Sequence, residues 1–367
     1  RQGSRFRQSR RKSRISFKAK LVDTQQSVVI AVDAMGGDHA PDSVIAGVKS
    51  AEKQYPDVHF LIFGDEDKVR PYIRKYALSA DRFDFVHTPD YVASNEKPSV
   101  AVRQGRKSSL WLAIDAVKQG QAAAVVSSGN TGALMAFSKL ILGTMPGIHR
   151  PAIVTILPTR KGECVVLDLG ANAECDARNL VEFAVMGEAY CRAVLKREQP
   201  TLGLLNIGSE DIKGRDEIRE AAQILRESAL NENFKGFVES DDIALGAVDV
   251  FVTDGFTGNI ALKAIEGTAR LMVNLLKDVA ANSFISKLGF LLALPSLKRL
   301  KKKMDPGRYN GAMLVGLKGI SIKSHGGADA FGFANALGVA VDAVKHDLQG
   351  NIAKQLSTIS LEKEEAE

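Results

Sequence analysis

The stretch "IAVDAMGGDHAP", residues 30 to 41, places several chemically active residues directly after an apolar run. Asp33 closes the run, Gly36 and Gly37 follow, and Asp38 and His39 come next. Glycine lets backbone N–H groups approach a ligand closely. The two carboxylates can orient such donors or a lysine, and the imidazole can accept or relay a proton. A histidine at this position can also simply pack a turn, so both roles of His39 stay open.

Two loops share the local code Gly-x-Thr-Gly, each after an apolar run and before a helical pattern: Ser128-Gly129-Asn130-Thr131-Gly132 and Asp254-Gly255-Phe256-Thr257-Gly258. At a helix start the first N–H groups lack partners within the helix, and the helix dipole is positive there. Together with the threonine hydroxyl, these donors predict a cradle for an anion the size of phosphate.

Other apolar runs also end in glycine and polar residues, as in "LDLGANAE" (167–174) and "NIGSEDIKG" (206–214). Binding candidates in these two stretches are Gly170, Gly208 and Ser209. Catalytic candidates are Asn172 and Asn259, which can donate to a carbonyl or phosphate oxygen, Lys213, which can neutralise phosphate, and His325 in "KSHGGAD". The alternatives are ordinary turn chemistry for each loop, helix capping for the asparagines, and turn packing for His325. For Lys213 the alternative is pairing with Glu210 or Asp211.

The elements that must position these residues alternate short β-branched runs with amphipathic segments. The pattern predicts strands at 28–33, 58–63, 83–87, 122–127, 152–157, 163–168, 202–207, 234–239 and 248–253, and helices at 99–119, 178–197 and 213–229. Apolar strands separated by helices are typical of an α/β fold, here a three-layer α/β/α body with a mostly parallel sheet. The short turn at 158–162 predicts one antiparallel pair. Ligands bind at the carboxyl ends of parallel strands, so we expect the polar loops to share one edge.

Length and charge set the organisation of the chain. Its 367 residues, 45% hydrophobic and 25% charged, suit a large α/β domain, which we place at 28–354. The net charge of +6 is uneven, because residues 1 to 20 hold nine Lys or Arg and no acid. We expect residues 1–27 to be a disordered basic extension, with a nucleic-acid arm or a targeting peptide as alternatives. Residues 355–367 read as an acidic tail.

Several function classes lack their signals. Three cysteines without a CxxC spacing argue for a reducing compartment and against disulfides or a zinc site. No run of 18 apolar residues occurs, so we expect a cytoplasmic protein. The Gly-x-Gly dinucleotide fingerprint, the P-loop, the serine elbow and the His-Glu-x-x-His motif are all missing. An anion-binding enzyme that uses no metal and no cofactor is the remaining interpretation.

The motifs "IAVDAMGGDHAP", "SSGNTGALM", "RPAI", "LDLGAN", "NIGSED", "VTDGFTGN" and "KSHG" occur here in the order found in a known family. From about Val29 to about Lys354 the chain resembles the bacterial phosphate acyltransferases of phospholipid synthesis, the PlsX family. The resemblance implies transfer of a long-chain acyl group from acyl carrier protein to inorganic phosphate. The product would then serve a membrane glycerol-3-phosphate acyltransferase. It also implies a fold like that of phosphotransacetylases and isocitrate dehydrogenases, and a homodimer.

Phosphate attack on a thioester suits the residues present. Phosphate is already an anionic nucleophile, and a thiol with a pKa of about 8.5 leaves readily. No covalent nucleophile is therefore needed, and positioning together with preorganised N–H donors should supply most of the acceleration. Two other functions stay open: a short-chain phosphotransacetylase that uses coenzyme A, and a non-enzymatic scaffold that binds nucleic acid. No aromatic sheet motif or recognition helix supports the second, so we expect no nucleic-acid partner.

Residues 282–304, "NSFISKLGFLLALPSLKRLKKKM", form an apolar helical tip followed by a basic run. We expect Gly289 and Pro295 to break this segment. An apolar tip beside cations can bind an anionic membrane surface, and each nearby cation adds about 1 kcal/mol. The expected membrane or carrier-protein contacts are Phe290, Leu291, Leu292, Lys298, Arg299, Lys301 and Lys302. The alternative is a dimer seam flanked by a solvated basic face.

Overall fold

The protein is described by a computed structural model that covers residues 28–281, 284–303 and 305–358. The strands are β1 (Val28–Asp33), β2 (Val58–Gly64), β3 (Phe83–His87), β4 (Ala124–Ser127), β5 (Ala152–Thr159), β6 (Gly162–Leu167), β7 (Leu202–Leu205), β8 (Phe234–Val238), β9 (Val250–Val252), β10 (Ala312–Val315) and β11 (Ile320–Lys323). The helices are α1 (Asp42–Gln54), α2 (Glu66–Lys75), α3 (Pro98–Gln104), α4 (Ser109–Lys118), α5 (Thr131–Leu142), α6 (Ala177–Leu195), α7 (Asp216–Glu227), α8 (Ser240–Leu245), α9 (Gly255–Ala281), α10 (Phe284–Lys303), α11 (Ala330–Lys345) and α12 (Leu348–Thr358), with a 3₁₀ turn at Pro306–Tyr309.

All these strands belong to one sheet in the order β3-β2-β1-β4-β11-β10-β5-β6-β9-β7-β8. The strands β3-β2-β1-β4-β11 form the first flank of the sheet, and β6-β9-β7-β8 form the second. Within each flank all neighbouring strands are parallel, as continuous apolar strands require. In the centre β10 is antiparallel to both β11 and β5, and β5 is antiparallel to β6. The antiparallel β5–β6 pair confirms the prediction from the short turn at 158–162.

The three antiparallel pairings reverse the direction of one flank relative to the other. Strands β1, β4 and β11 therefore end at one edge of the sheet, whereas β6, β7 and β9 end at the opposite edge. The prediction that the polar loops share one edge is wrong for this reason. Strands β10 and β11 were not predicted, because each is only four residues long and no helix separates them.

Helices cover both faces of the sheet, so the predicted three-layer α/β/α fold is confirmed. One face is packed by α1, α6 and α11, and the other by α4 and α5 on the first flank and α8 on the second. Helix α6 is almost entirely buried in this arrangement. The predicted helix 99–119 is two helices, α3 and α4, with a break at Gly105. A side chain there would lie 2.7 Å from the carbonyl oxygen of Ala101.

The long helix α9 leaves the second flank of the sheet, and α10 packs back against it. Both display large apolar side chains to solvent: Ile260, Leu271, Met272, Val273 and Val279 on α9, and Leu291 and Leu292 on α10. The predicted break at Gly289 and Pro295 is wrong, because α10 runs through both residues. No helix of the described segments is long and apolar enough to cross a membrane. Residues 1–27 and 359–367, and the side chains of Lys298, Lys301 and Lys302, lie outside what the structure describes.

Candidate active site

Asp33 connects the carboxyl ends of β1 and β4 through its hydrogen bonds. Its carboxylate accepts hydrogen bonds from Ser109 Oγ and Ser127 Oγ, both at 2.7 Å, and from the Met35 N–H at 3.2 Å. Burial raises the pKa of Asp33, and these hydrogen bonds oppose the rise. Because Asp33 is almost fully buried and its partners lie on three segments, it joins β1, β4 and α4. This arrangement suits a positioning role better than proton exchange with a bound substrate.

The loops that follow β1 and β4 touch through their backbones at Gly36 and Gly129. A Cβ atom on Gly36 would lie 2.6 Å from the backbone nitrogen of Gly129 and 2.6 Å from Asp33 Oδ2. The Ser128 hydroxyl donates to the Gly36 carbonyl oxygen at 2.6 Å. Gly37 has a φ of +112°, which side-chain-bearing residues rarely adopt. The glycines predicted for binding therefore bring two strand ends into direct contact.

Asp33 and the two loops around it form the first cluster. Helix α5 begins there, and two of its first backbone N–H groups have no acceptor in the described part of the chain. The side chain of Asn130 caps the helix by accepting from the Ala133 N–H at 3.0 Å, and its amide donates to the carbonyls of Ser94 and Glu96. Among the described residues, no acceptor lies on the backbone N–H groups of Thr131 and Gly132. These two donors and the positive end of the helix dipole can bind an anion, as predicted from the Gly-x-Thr-Gly code.

Lys323 is the last residue of β11 and lies in the same cluster. It was not among the residues predicted from the sequence. Its Nζ donates to the carbonyl oxygen of Ser128 at 3.4 Å and to that of Ser324. Burial lowers the pKa of Lys323 to about 8, while the carboxylates of Asp38 and Asp33 act in the opposite direction. The one signal for this residue was its place as the first letter of "KSHG", two positions before His325.

Asp38, His39 and His325 form the exposed rim of the cluster. The Asp38 N–H donates to the Gly326 carbonyl oxygen at 2.8 Å, which joins the loop after β1 to the loop after β11. The Gly327 N–H donates to His325 Nδ1 at 3.1 Å. In its neutral form His325 therefore carries its proton on Nε2 and presents a hydrogen-bond donor. The structure thus brings both predicted histidines to one rim.

A second cluster surrounds Asp168 at the opposite edge of the sheet. The fully buried Asp168 carboxylate accepts four backbone hydrogen bonds of 2.7–3.2 Å and a fifth, at 3.0 Å, from Asn172 Nδ2. Burial raises the pKa of Asp168 against these bonds. Asn172 also donates to the Pro151 carbonyl oxygen at 2.8 Å. Its amide donors therefore hold the loop, so the predicted donation to a substrate is not what this geometry favours.

Most of the backbone donors at the start of α9 are already bound by the protein. Asp254 accepts from the Thr257 N–H at 2.8 Å and from Thr257 Oγ1 at 2.9 Å, and it pairs with Arg215. The Gly255 N–H donates to the Asn172 carbonyl oxygen at 2.7 Å. Gly258 packs on the Asp168 carbonyl oxygen. Two of the first three N–H groups of α9 are thus bound by the protein, against one of the first three of α5, so the two copies of the code are not equivalent sites.

The remaining predicted residues of this flank lie beside the second cluster or at the end of β7. Asn259 contacts the Gly170 backbone, where a Cβ atom would lie 3.6 Å from Asn259 Cβ. Gly208 is buried, whereas Ser209 and Lys213 are exposed. Asp211, offered above as a partner for Lys213, pairs with Arg226 instead. Asn172, Asn259 and Lys213 therefore do not join Asp33 and His39 in one site, because the flanks of the sheet run in opposite directions.

Comparison with known proteins agrees with the motifs. The family described as "Fatty acid synthesis protein" matches residues 28–350. A phosphate acyltransferase of Rhodospirillum rubrum is 55% identical over 91% of this chain and 96% of its own length, and one of Rhodospirillum centenum is 57% identical over 90% and 93%. A phosphotransacetylase from Streptococcus pyogenes has a similar fold, with a TM-score of 0.58 and 19% identity over 87% of this chain and 94% of that one. The chain therefore belongs to the phosphate acyltransferase family, and it is an acyltransferase.

Proposed function

We propose that this chain transfers a long-chain acyl group from acyl carrier protein to inorganic phosphate, at the cluster around Asp33. The observation that carries the location is the pair of N–H donors of Thr131 and Gly132 that have no acceptor in the part of the chain that the structure describes, beside the partly buried Lys323. At the start of α9 the Gly255 N–H donates to Asn172, the Thr257 N–H donates to Asp254, and the cation Arg215 is paired with Asp254. Among the described residues, two adjacent free N–H donors beside a lysine that has no ion pair therefore favour the start of α5 as the phosphate site.

In the proposed reaction a phosphate oxygen attacks the thioester carbonyl carbon. The C–S bond breaks, the carrier's thiolate leaves, and the acyl group stays on the phosphate as a mixed anhydride. Helix α5 orients the attacking phosphate through its first N–H groups, which accounts for much of the rate by positioning alone. The Nε2–H of His325 can donate a hydrogen bond to the carbonyl oxygen as it becomes negative.

The carrier-protein donor and the phospholipid pathway rest on the family resemblance. Acyl phosphate is a reactive anhydride, so a membrane glycerol-3-phosphate acyltransferase that consumes it nearby would protect it from hydrolysis. The exposed apolar side chains at Leu291 and Leu292 of α10, followed by Arg299, support reversible binding to an anionic membrane from the cytoplasm. Carrier proteins are acidic, so the same basic run also suits their docking.

The exposed apolar face of α9 supports a homodimer. Leu271, Met272 and Val279 are each more than half exposed on one long helix, which is costly in water unless a partner covers it. A second copy of α9 presents a matching face under two-fold symmetry. Sedimentation equilibrium of the protein measures this directly, and a mass equal to one chain would contradict it.

The reaction is tested by incubating the protein with inorganic phosphate and either palmitoyl carrier protein or acetyl-CoA. Hydroxylamine then traps any acyl phosphate as a hydroxamate, and release of the free thiol is measured in parallel. We expect phosphate-dependent product from the palmitoyl donor. Product from acetyl-CoA alone would instead identify a short-chain phosphotransacetylase. Absence of product from both donors would overturn the proposal.

A further inference from the structure

Lys323 is a partly buried cation that forms no ion pair with any residue that the structure describes. It stands at the carboxyl end of β11, between the backbones of Ser128 and Ser324. No carboxylate of the described residues lies within 4.0 Å of its Nζ. A buried ammonium normally has a paired carboxylate, because removing its charge from water is costly. Within the described part of the chain, no acid contacts this ammonium directly.

The nearby acids are held in other ways. The carboxylate of Asp33 accepts bonds from two serines and one backbone N–H, which occupy its oxygens. Asp38 lies at the exposed rim, where water solvates it. Both raise the pKa of Lys323 only at a distance, and burial outweighs them. Neither residue therefore serves as the partner of the ammonium.

The Ser128 carbonyl contact places Lys323 beside the start of α5. Ser128 is three residues before Thr131, whose N–H is one of the unfilled donors. The ammonium and the helix start thus supply positive potential to the same small region. An oxyanion with several acceptor oxygens can accept from the ammonium and from the helix donors at the same time.

We infer that Lys323 binds the phosphate acceptor directly, as the counter-cation that completes the helix α5 donor set. This inference rests on the function proposed above and names a residue that binds its acceptor. Phosphate supplies the negative charge that the partly buried ammonium lacks, so binding stabilises both groups. The contacts with Ser128 and Ser324 keep Nζ in place between turnovers.

The test uses Lys323→Met, which keeps most of the side-chain volume and removes the charge. Loss of a charged hydrogen bond predicts that KM for phosphate rises about 10- to 100-fold. KM for the acyl donor should stay near its original value. The control is Lys318→Met, because Lys318 is exposed at the opposite end of β11 and should leave both constants unchanged.

The pH dependence is a second measurement. Since the pKa of Lys323 is about 8, KM for phosphate should rise above that pH as the ammonium loses its proton. Lys323→Arg, which stays charged, should remove this rise. The other titratable groups that face this region are Asp33, Asp38, His39 and His325, so the Lys323→Arg variant is the control that assigns the rise to Lys323. An unchanged KM and pH profile in folded Lys323→Met would overturn the inference.

Titration of inorganic phosphate into wild type and Lys323→Met by calorimetry separates this inference from the proposed reaction. Weaker phosphate binding by the variant supports the role of Lys323 even if no acyl donor reacts. Equal binding by both proteins would overturn the role of Lys323 while leaving acyl transfer intact. Circular dichroism melting checks that Lys323→Met, Lys323→Arg and Lys318→Met fold before the kinetic and binding results are interpreted.

Discussion

Substitution of Gly36 by alanine tests the backbone contact between the two loops of the first cluster. The new Cβ atom would meet the Gly129 nitrogen and Asp33 Oδ2, both at 2.6 Å, and Gly129 Cα at 2.7 Å. Ordinary carbon contacts begin near 3.4 Å, so the loops must separate by several tenths of an ångström. Two of the three atoms belong to the backbone of the loop that leads into α5, so a side-chain rotation does not relieve the clash.

We expect two consequences of this displacement. Overpacking should lower the free energy of unfolding by about 1–3 kcal/mol. The start of α5 should also move relative to Lys323 and His325. Because a misplacement approaching 1 Å can cost about 100-fold in rate, kcat/KM for phosphate should fall by between 10- and 100-fold. Most of the loss in kcat/KM should remain at temperatures well below the melting transition, where the variant is folded.

The assays are urea unfolding and initial rates of acyl phosphate formation at varied phosphate. Gly267→Ala is the matched control, since nothing lies within 4 Å of its Cβ position on α9. That change should leave the rate constant and add about 0.5–1 kcal/mol of stability, as expected for glycine in a helix. If folded Gly36→Ala keeps the phosphate kinetics of Gly267→Ala, the close approach of the loops is not needed for catalysis.

Three further predictions follow from the described contacts. Gly255→Ala, whose Cβ would lie 2.6 Å from the Asn172 carbonyl oxygen, should lower stability in urea by about 1–3 kcal/mol yet leave KM for phosphate unchanged; a raised KM would contradict the assignment of the site. Because the pKa of Asp33 is raised in the folded state, its ionisation destabilises the fold as pH rises from 3.8 through that raised value. Stability relative to Asp33→Asn should therefore increase on acidification, and a flat difference across that range would refute it. Leu292→Asp, at a side chain 77% exposed, should reduce co-sedimentation with anionic vesicles, whereas Ile212→Asp at an 80% exposed position should not; equal binding would refute the contact.

Much of the local structure follows from the sequence for reasons that act over a few residues. Predominantly apolar runs such as 28–33 and 58–63 form buried parallel strands because apolar side chains occupy both faces along most of their length. The asparagine of "SSGNTG" caps α5 as its residue type predicts. The exit of Asp33 from β1 beside two glycines correctly indicates a place where backbones meet.

The composition of the site depends on distant parts of the chain. Two loops with the same Gly-x-Thr-Gly code differ because the Asn172 carbonyl oxygen, from a distant loop, accepts from the first N–H of α9, whereas no described residue accepts from the first N–H of α5. Lysine at a strand end is usually exposed, so the partial burial of Lys323 beside the Ser128 loop has no local signal. The Gly327 N–H donates to His325 Nδ1 and so places the proton of the neutral imidazole on Nε2. Only the folded loop creates this contact.

By itself the sequence determined the family, the alternation of strands and helices, and the glycines at which loops approach one another, because these depend on neighbouring residues. The tertiary structure decided which strand ends share an edge. That outcome depends on β10 and β11, whose pairing over long separations reverses one flank of the sheet. It also decided which helix donors remain free and which cation lies beside them, because both are set by atoms far apart in the chain.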